Sequence, residues 1–210
     1  MTRLTRSAHF GSIRVRTPFV APGQRIGVMG GSFNPPHEGH ARVAETALKR
    51  LGLDQLWWLV TPGNPLKSHG GLMPLDERMA ACRALAKGPR MHVTAFEAEL
   101  GTPYTAATLE FLKARFPTAN FVWVMGADNL ATFHRWQNWR EIARRMPIAV
   151  VDRPGWRLKA LSSPAAQALG RQRQQESRSK LAALPGRPAG WTLLSTRLSD
   201  QSSTRLRGGK

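Results

Sequence analysis

The sequence predicts an α/β fold: a doubly wound, mostly parallel sheet with helices on both faces. Two observations predict it. Short apolar runs alternate along the chain with segments of helical period. The runs are apolar almost without a break, as burial of a strand on both faces requires, instead of alternating apolar with polar. Right-handed crossovers between the strands follow from the twist of the chain.

The elements justify this in order. RIGVMG (25–30) is the first strand. HEGHARVAETALKRLG (37–52) is a helix, because Ala41, Ala44, Ala47, Leu48 and Leu51 fall near one face and Gly52 is a natural C-cap. LWWLVT (56–61) is a strand ended by PGNP, with Trp57 and Trp58 as core and sheet-face residues. DERMAACRALAKG (76–88) opens with an acidic turn suited to a helix N-terminus. MHVTAF (91–96) is a strand, TAATLEFLKARF (105–116) a helix and FVWVMG (121–126) a strand. WREIARRM (139–146) is a short helix and IAVVD (148–152) a strand. Residues 156–190, rich in Arg, Gln, Ser and Pro, read as loop or mobile helix, before a last strand at WTLLST (191–196). This is a Rossmann-like order, in which ligands bind beyond the carboxyl ends of the strands.

Composition bounds the function. With 210 residues and 41% hydrophobic, the chain can bury a sizeable core as one domain. No apolar run is long enough to span a bilayer, and no signal-peptide h-region is present, so a cytoplasmic protein is expected. Cys82, the single cysteine, lies in a helical pattern and reads as a buried structural thiol. The net charge of +18 is concentrated at the two ends. Residues 1–24 carry four arginines and no acid, and residues 153–210 carry twelve basic residues and two acids. A solvated surface, a phosphate-rich small substrate and a nucleic acid all suit such ends. Residues 1–24 read as a flexible basic tail.

The chemistry concentrates in GVMGGSFNPPHEGH, residues 27–40. Gly30 and Gly31 end a strand and let backbone N–H groups approach a ligand. The helix that starts near His37 offers free N–H groups and a positive dipole to an anion. His37 and His40, three apart, project from the same side of its first turn. This is not a dinucleotide fingerprint, a Walker A loop or a zinc-protease HExxH motif, whose residues are absent.

GGSFNPPHEGH resembles the signature G-G-S/T-F-D/N-P-x-H-x-G-H of the nucleotidyltransferase α/β phosphodiesterase superfamily, and SSTRLR (202–207) is similar to its second signature, I/V-S-S-T-x-x-R. Within the superfamily, residues 25–207 most resemble bacterial nicotinate-nucleotide adenylyltransferases, through TPGNPLK, ELGTPYTAATL, VMGADNLATFHRW and the DRPG turn. The resemblance implies one nucleotidyltransferase domain over 25–210. It implies adenylyl transfer from ATP to nicotinate mononucleotide, with Mg²⁺ carried by ATP and no metal ligands on the protein. His37, His40 and Arg207 are the implied catalytic residues. Gly30, Gly31, Ser32, Phe33, Lys67, Ser203 and Thr204 would bind ATP and its phosphates. Thr105, Asp128 and Trp136 would bind the mononucleotide, with Trp136 stacking on the pyridine ring. ATP and nicotinate mononucleotide are then the partners of a monomer or weak homo-oligomer, with no specific nucleic acid and no membrane. Gln201 departs from the usual residue before the second signature, and residues 1–24 have no counterpart. An enzyme for the amide mononucleotide, or for both mononucleotides, is the main alternative. A phosphopantetheine enzyme would lack the GAD…W segment, a cytidylyltransferase usually carries a different second motif, and a nucleic-acid-binding protein would use the basic ends.

Overall fold

The computed structural model describes residues 15–63, 71–101, 104–176 and 190–196. Seven strands form one parallel sheet in the order β3-β2-β1-β4-β5-β7-β6. They are β1 (Arg25–Gly31), β2 (Gln55–Val60), β3 (Met91–Thr94), β4 (Asn120–Gly126), β5 (Ile148–Val151), β6 (Arg173–Gln174) and β7 (Trp191–Leu194). The helices are α1 (Glu38–Arg50), α2 (Leu75–Leu85), α3 (Phe96–Leu100), α4 (Thr105–Arg115), α5 (Ala127–Thr132), α6 (Trp139–Arg145), α7 (Arg157–Leu161) and α8 (Pro164–Ala168).

Strand order reverses between β1 and β4, which pair in parallel with Gly27 opposite Val122. On its other side β1 pairs with β2, Gly27 lying opposite Leu56. The crevice at the carboxyl ends of β1 and β4 is therefore the topological switch point, where such sheets bind ligands.

The continuous apolar strands are buried on both faces, as their composition requires. Trp57 and Trp58 are both fully buried, yet neighbours in sequence serve opposite faces. Trp57 packs with Phe96, Phe121 and Leu109, under α3 to α8. Trp58 packs with Ala44, Leu48 and Cys82, under α1 and α2. Cys82 is the buried thiol the sequence suggested, and burial pushes its pKa up to about 12.

Two boundaries differ from the sequence reading. Residues 15–24, read as the end of a tail, lie on the domain. Val15 is buried in the core, the Gln55 amide donates to the Phe19 carbonyl, and the Arg16 N–H donates to Glu99. Apolar burial holds this segment, whose isolated Val15 and Val20 show no period. Within 156–190, read as loop or mobile helix, α7 and α8 are helical, and Ala160, Ala165 and Ala166 are buried. Ser163 caps α8 by accepting from the Ala166 N–H, with Pro164 at its first turn.

Candidate active site

At the end of β1 the backbone runs against a rigid side chain. A Cβ on Gly30 would stand 2.6 Å from the Trp123 indole of β4. Glycine is required there, because the indole is buried and has nowhere to move. The chain then turns through Phe33, whose φ of +45° is unusual for a bulky residue. The Phe33 ring is buried, 5.3 Å from Trp58 and 5.0 Å from His40 between centroids.

The loop delivers the two histidines to the first turn of α1, where they cap the helix reciprocally. His37 is the N-cap, and its Nδ1 accepts from the Gly39 N–H at 3.0 Å. The His37 N–H in turn donates to His40 Nδ1 at 3.2 Å. This is a capping box built from two imidazoles in place of hydroxyl and carboxylate. It also decides the chemistry of both rings. A nitrogen that accepts carries no proton, so in the neutral ring the proton resides on Nε2. Each histidine thus offers an Nε2–H donor. The ring centroids lie 3.9 Å apart with the planes inclined at 41°, and His37 Nε2 is buried with no hydrogen-bond partner among the described residues. A buried unpaired donor costs about 1–3 kcal/mol. It is repaid when an acceptor such as a phosphate oxygen arrives.

Burial lowers the His37 pKa to about 4, reinforced by the Arg153 cation and opposed by Asp128. His37 is therefore a neutral donor at pH 7. Gly39 is needed beside it: an added Cβ would meet the His37 ring at 2.8 Å and Arg153 at 3.2 Å.

Asp128 and Arg153 close the β4–β5 side. Arg153 Nη1 lies 3.0 Å from Asp128 Oδ2, while Asp128 Oδ1 is buried without a partner among the described residues. Asp152 accepts from Arg157 at 3.0 Å. The structure thus brings Gly30, Gly31, Phe33, His37, His40 and Asp128 together at the switch point. Ser32 is in the same loop. Trp136 is half-buried, edge-on to Phe133 at 5.3 Å and to Trp123 at 6.4 Å, so it reaches the β1 end through the indole beneath Gly30. Thr105 opens α4 on the same carboxyl-end rim. Lys67, Ser203, Thr204 and Arg207 lie outside the described residues.

Arg153 is the participant that sequence reasoning passed over. Its signal was present: an arginine just past the apolar run 148–151, in the DRPG turn at a strand's carboxyl end. Nearby, Tyr104 is 40% exposed, and His134 is half-buried with a buried Nδ1.

Among the described residues no group of three His, Cys, Asp or Glu side chains is arranged to hold a metal ion. The donors at this site are imidazole N–H groups, set at the positive end of the dipole of a 13-residue helix. That donor set suits the oxygens of an anion.

Comparison with known proteins agrees with this geometry. The cytidylyltransferase-like family model matches residues 28–209. The probable nicotinate-nucleotide adenylyltransferase of Rhizobium meliloti (strain 1021) is 58% identical over 185 residues, covering 88% of this chain and 98% of that protein. That of Agrobacterium fabrum is 57% identical over 182 residues, covering 87% of this chain and 97% of its own length. Among solved structures, the Plasmodium falciparum nicotinic acid mononucleotide adenylyltransferase complexed with NaAD shares the fold, with a TM-score of 0.65 at 16% identity over 88% of this chain and 82% of that chain. An α/β sheet with its capped histidine pair at the switch point and near-full-length identity above one half lead to one assignment: the chain belongs to the cytidylyltransferase-like family and, within it, to the nicotinate-nucleotide adenylyltransferases.

Proposed function

We propose that this protein transfers the adenylyl group of ATP to the 5′-phosphate of nicotinate mononucleotide, releasing pyrophosphate and forming the dinucleotide in NAD biosynthesis. The observation that carries the reading is the reciprocal cap of His37 and His40, which fixes two Nε2–H donors at a helix N-terminus beyond β1.

A phosphate oxygen of the mononucleotide attacks the α-phosphorus in line. The new P–O bond forms as the bond from that phosphorus to the pyrophosphate oxygen breaks. The nucleophile is already an anion at pH 7, so no protein base and no covalent enzyme intermediate are needed. Catalysis is positioning plus stabilisation of charge that grows on the α-phosphate. The imidazole donors and the N-terminus of α1 are pre-aimed for this, and the neutrality of His37 avoids a desolvated cation when the site is empty. Mg²⁺ would ride on the phosphates of ATP and neutralise part of their charge.

In this reading Gly30, Gly31, Ser32 and Phe33 line the phosphate path, and Lys67, Ser203, Thr204 and Arg207 add donors and cations to it. Asp128, Thr105 and Trp136 hold the mononucleotide. Trp136, half-buried and in T-shaped contact with Trp123 and Phe133, is the indole that would stack on the pyridine ring. A cytoplasmic site of action fits a reaction on these soluble substrates.

The test is pyrophosphate release from ATP and Mg²⁺ with nicotinate or nicotinamide mononucleotide, side by side. Strong preference for the acid is expected. Equal or faster turnover of the amide would overturn the choice of substrate, and silence with both would overturn the activity.

A further inference from the structure

Arg78 of α2 is a buried charged side chain, 1% exposed, and its described hydrogen bonds all go to backbone carbonyls. Nη1 donates to the Ser32 carbonyl at 2.7 Å and to the Thr61 carbonyl at 2.8 Å. Nε donates to the Met73 carbonyl at 2.8 Å, and Nη2 to the Pro62 carbonyl at 3.4 Å. One guanidinium therefore joins the loop after β1, the loop after β2 and the residues leading into its own helix. The burial lowers its pKa, so the site keeps an expensive cation where a neutral residue could pack.

We infer that Arg78 is a positioning residue of the active site, fixing the Ser32–Phe33 peptide of the glycine loop so that its N–H is turned toward the substrate phosphates. In a trans peptide the carbonyl and the N–H point in opposite directions. Pinning the Ser32 carbonyl inward on Arg78 turns the Phe33 N–H outward. The same peptide orientation sets the φ of Phe33, the left-handed value of +45° that a free phenylalanine would abandon. Two further links brace the loop. Asn34 Nδ2 donates to the Gly71 carbonyl and Asn34 Oδ1 accepts from the Met73 N–H, at 3.0 and 3.1 Å. The Thr61 N–H donates to the Gly31 carbonyl at 2.9 Å. Arg78 spans the space between them, and no other residue type presents five donors in one rigid fork. The inference rests on the proposed use of this loop for phosphate.

The experiment compares the full-length parent with Arg78→Lys and with Leu112→Ala, a core truncation in α4 chosen to lower the melting temperature by itself. ATP binding is read by calorimetry without mononucleotide, and kcat and KM by pyrophosphate release. Lysine keeps the charge but cannot span four carbonyls. The expected result for Arg78→Lys is a folded protein with ATP affinity weakened about tenfold or more and kcat reduced about 30-fold. Its KM for the mononucleotide should stay within threefold. Leu112→Ala should keep ATP affinity and kcat near the parent's. ATP affinity and kcat within threefold of the parent in folded Arg78→Lys would overturn the inference. Equal losses in Leu112→Ala would overturn it too, by showing a general effect of lost stability. A parent that binds ATP but turns over neither mononucleotide fails the proposed reaction alone, and the ATP-affinity comparison still decides the role of Arg78.

Discussion

His37→Asn separates two roles that one imidazole combines. Asparagine ranks with the best N-caps, so the amide can still accept from the Gly39 N–H and hold the start of α1. It places nothing at the position of Nε2, the buried donor without a partner. Losing one charge-stabilising donor costs turnover about 10²–10³-fold, or about 2.7–4 kcal/mol of transition-state stabilisation. The expected outcome is that loss in kcat with the melting temperature nearly unchanged. His37→Ala should lose kcat equally and also forfeit the cap, a further ~0.5–2 kcal/mol of stability. At roughly 2–4 °C per kcal/mol, calorimetry resolves the difference. Acidity gives a second check. With its pKa lowered to about 4 by burial, His37 stays neutral from about pH 5.5 upward. The unfolded chain takes up a proton below about 6.5 that the folded chain does not. Its contribution to stability is therefore full above pH 6.5 and is lost as pH falls toward 4. The reasoning is refuted by a His37→Asn enzyme with kcat within tenfold of the parent. It is equally refuted by a parent kcat that falls as pH rises through about 6.5, a limb the substitution abolishes, since that would make the cation the working form.

Four other outcomes are expected. His40→Ala should lower turnover by about 10²–10³-fold with the fold intact, checked by circular dichroism and pyrophosphate release; near-normal turnover would remove His40 from the mechanism. Burial raises the Glu97 pKa to about 7 against the opposing hydrogen bond from Thr108, so its stabilising share is present below about pH 4.5 and lost as pH rises through 7. The gain in melting temperature of Glu97→Gln over the parent should accordingly grow across that window, by up to about 1.4 kcal/mol of stability per pH unit; a gain independent of pH would count against it. Trp136→Ala should raise KM for the mononucleotide more than it lowers kcat, whereas a pure loss of melting temperature would mean simple packing. Gly30→Ala should destabilise by about 1–3 kcal/mol in chemical denaturation, because its Cβ would strike the buried Trp123 indole.

Much of this was legible in the sequence for physical reasons. A strand buried on both faces must be apolar along its buried length, and β1, β2, β4 and β5 are, beyond the first residues Arg25, Gln55 and Asn120 of the first three. An amphipathic helix must repeat its apolar face, and α1 does so through Ala41, Ala44, Ala47 and Leu48. The five-residue α3 and six-residue α5 complete too few turns to show a period, so no element was expected there. The position of His37 and His40 at a helix start was readable, but their reciprocal capping was not, because imidazole is an uncommon cap and only distances reveal it. Arg78 carried no signal at all. Within DERMAACRALAK it reads as part of a solvated helical face, and only the packing of α2 beneath two strand ends buries it. The order of β4, β5, β7 and β6 likewise depends on which crossover lies on which face, and local residue patterns do not encode that choice.

The strand that carries the glycine loop is hydrogen-bonded on one side to β2, the next strand in the chain, and on the other to β4, separated from it by two strands, β2 and β3, and four helices, α1 to α4. The site consequently has no location in any one stretch of the chain. A break placed between β2 and β4 would leave the glycine-loop end of β1 on one piece and the Trp123 wall and Asp128 on the other, each with an open edge. Such halves, expressed apart, should fail to bind ATP and recover it only on recombination, and a lone half that binds with parental affinity would show that the catalytic machinery is modular after all.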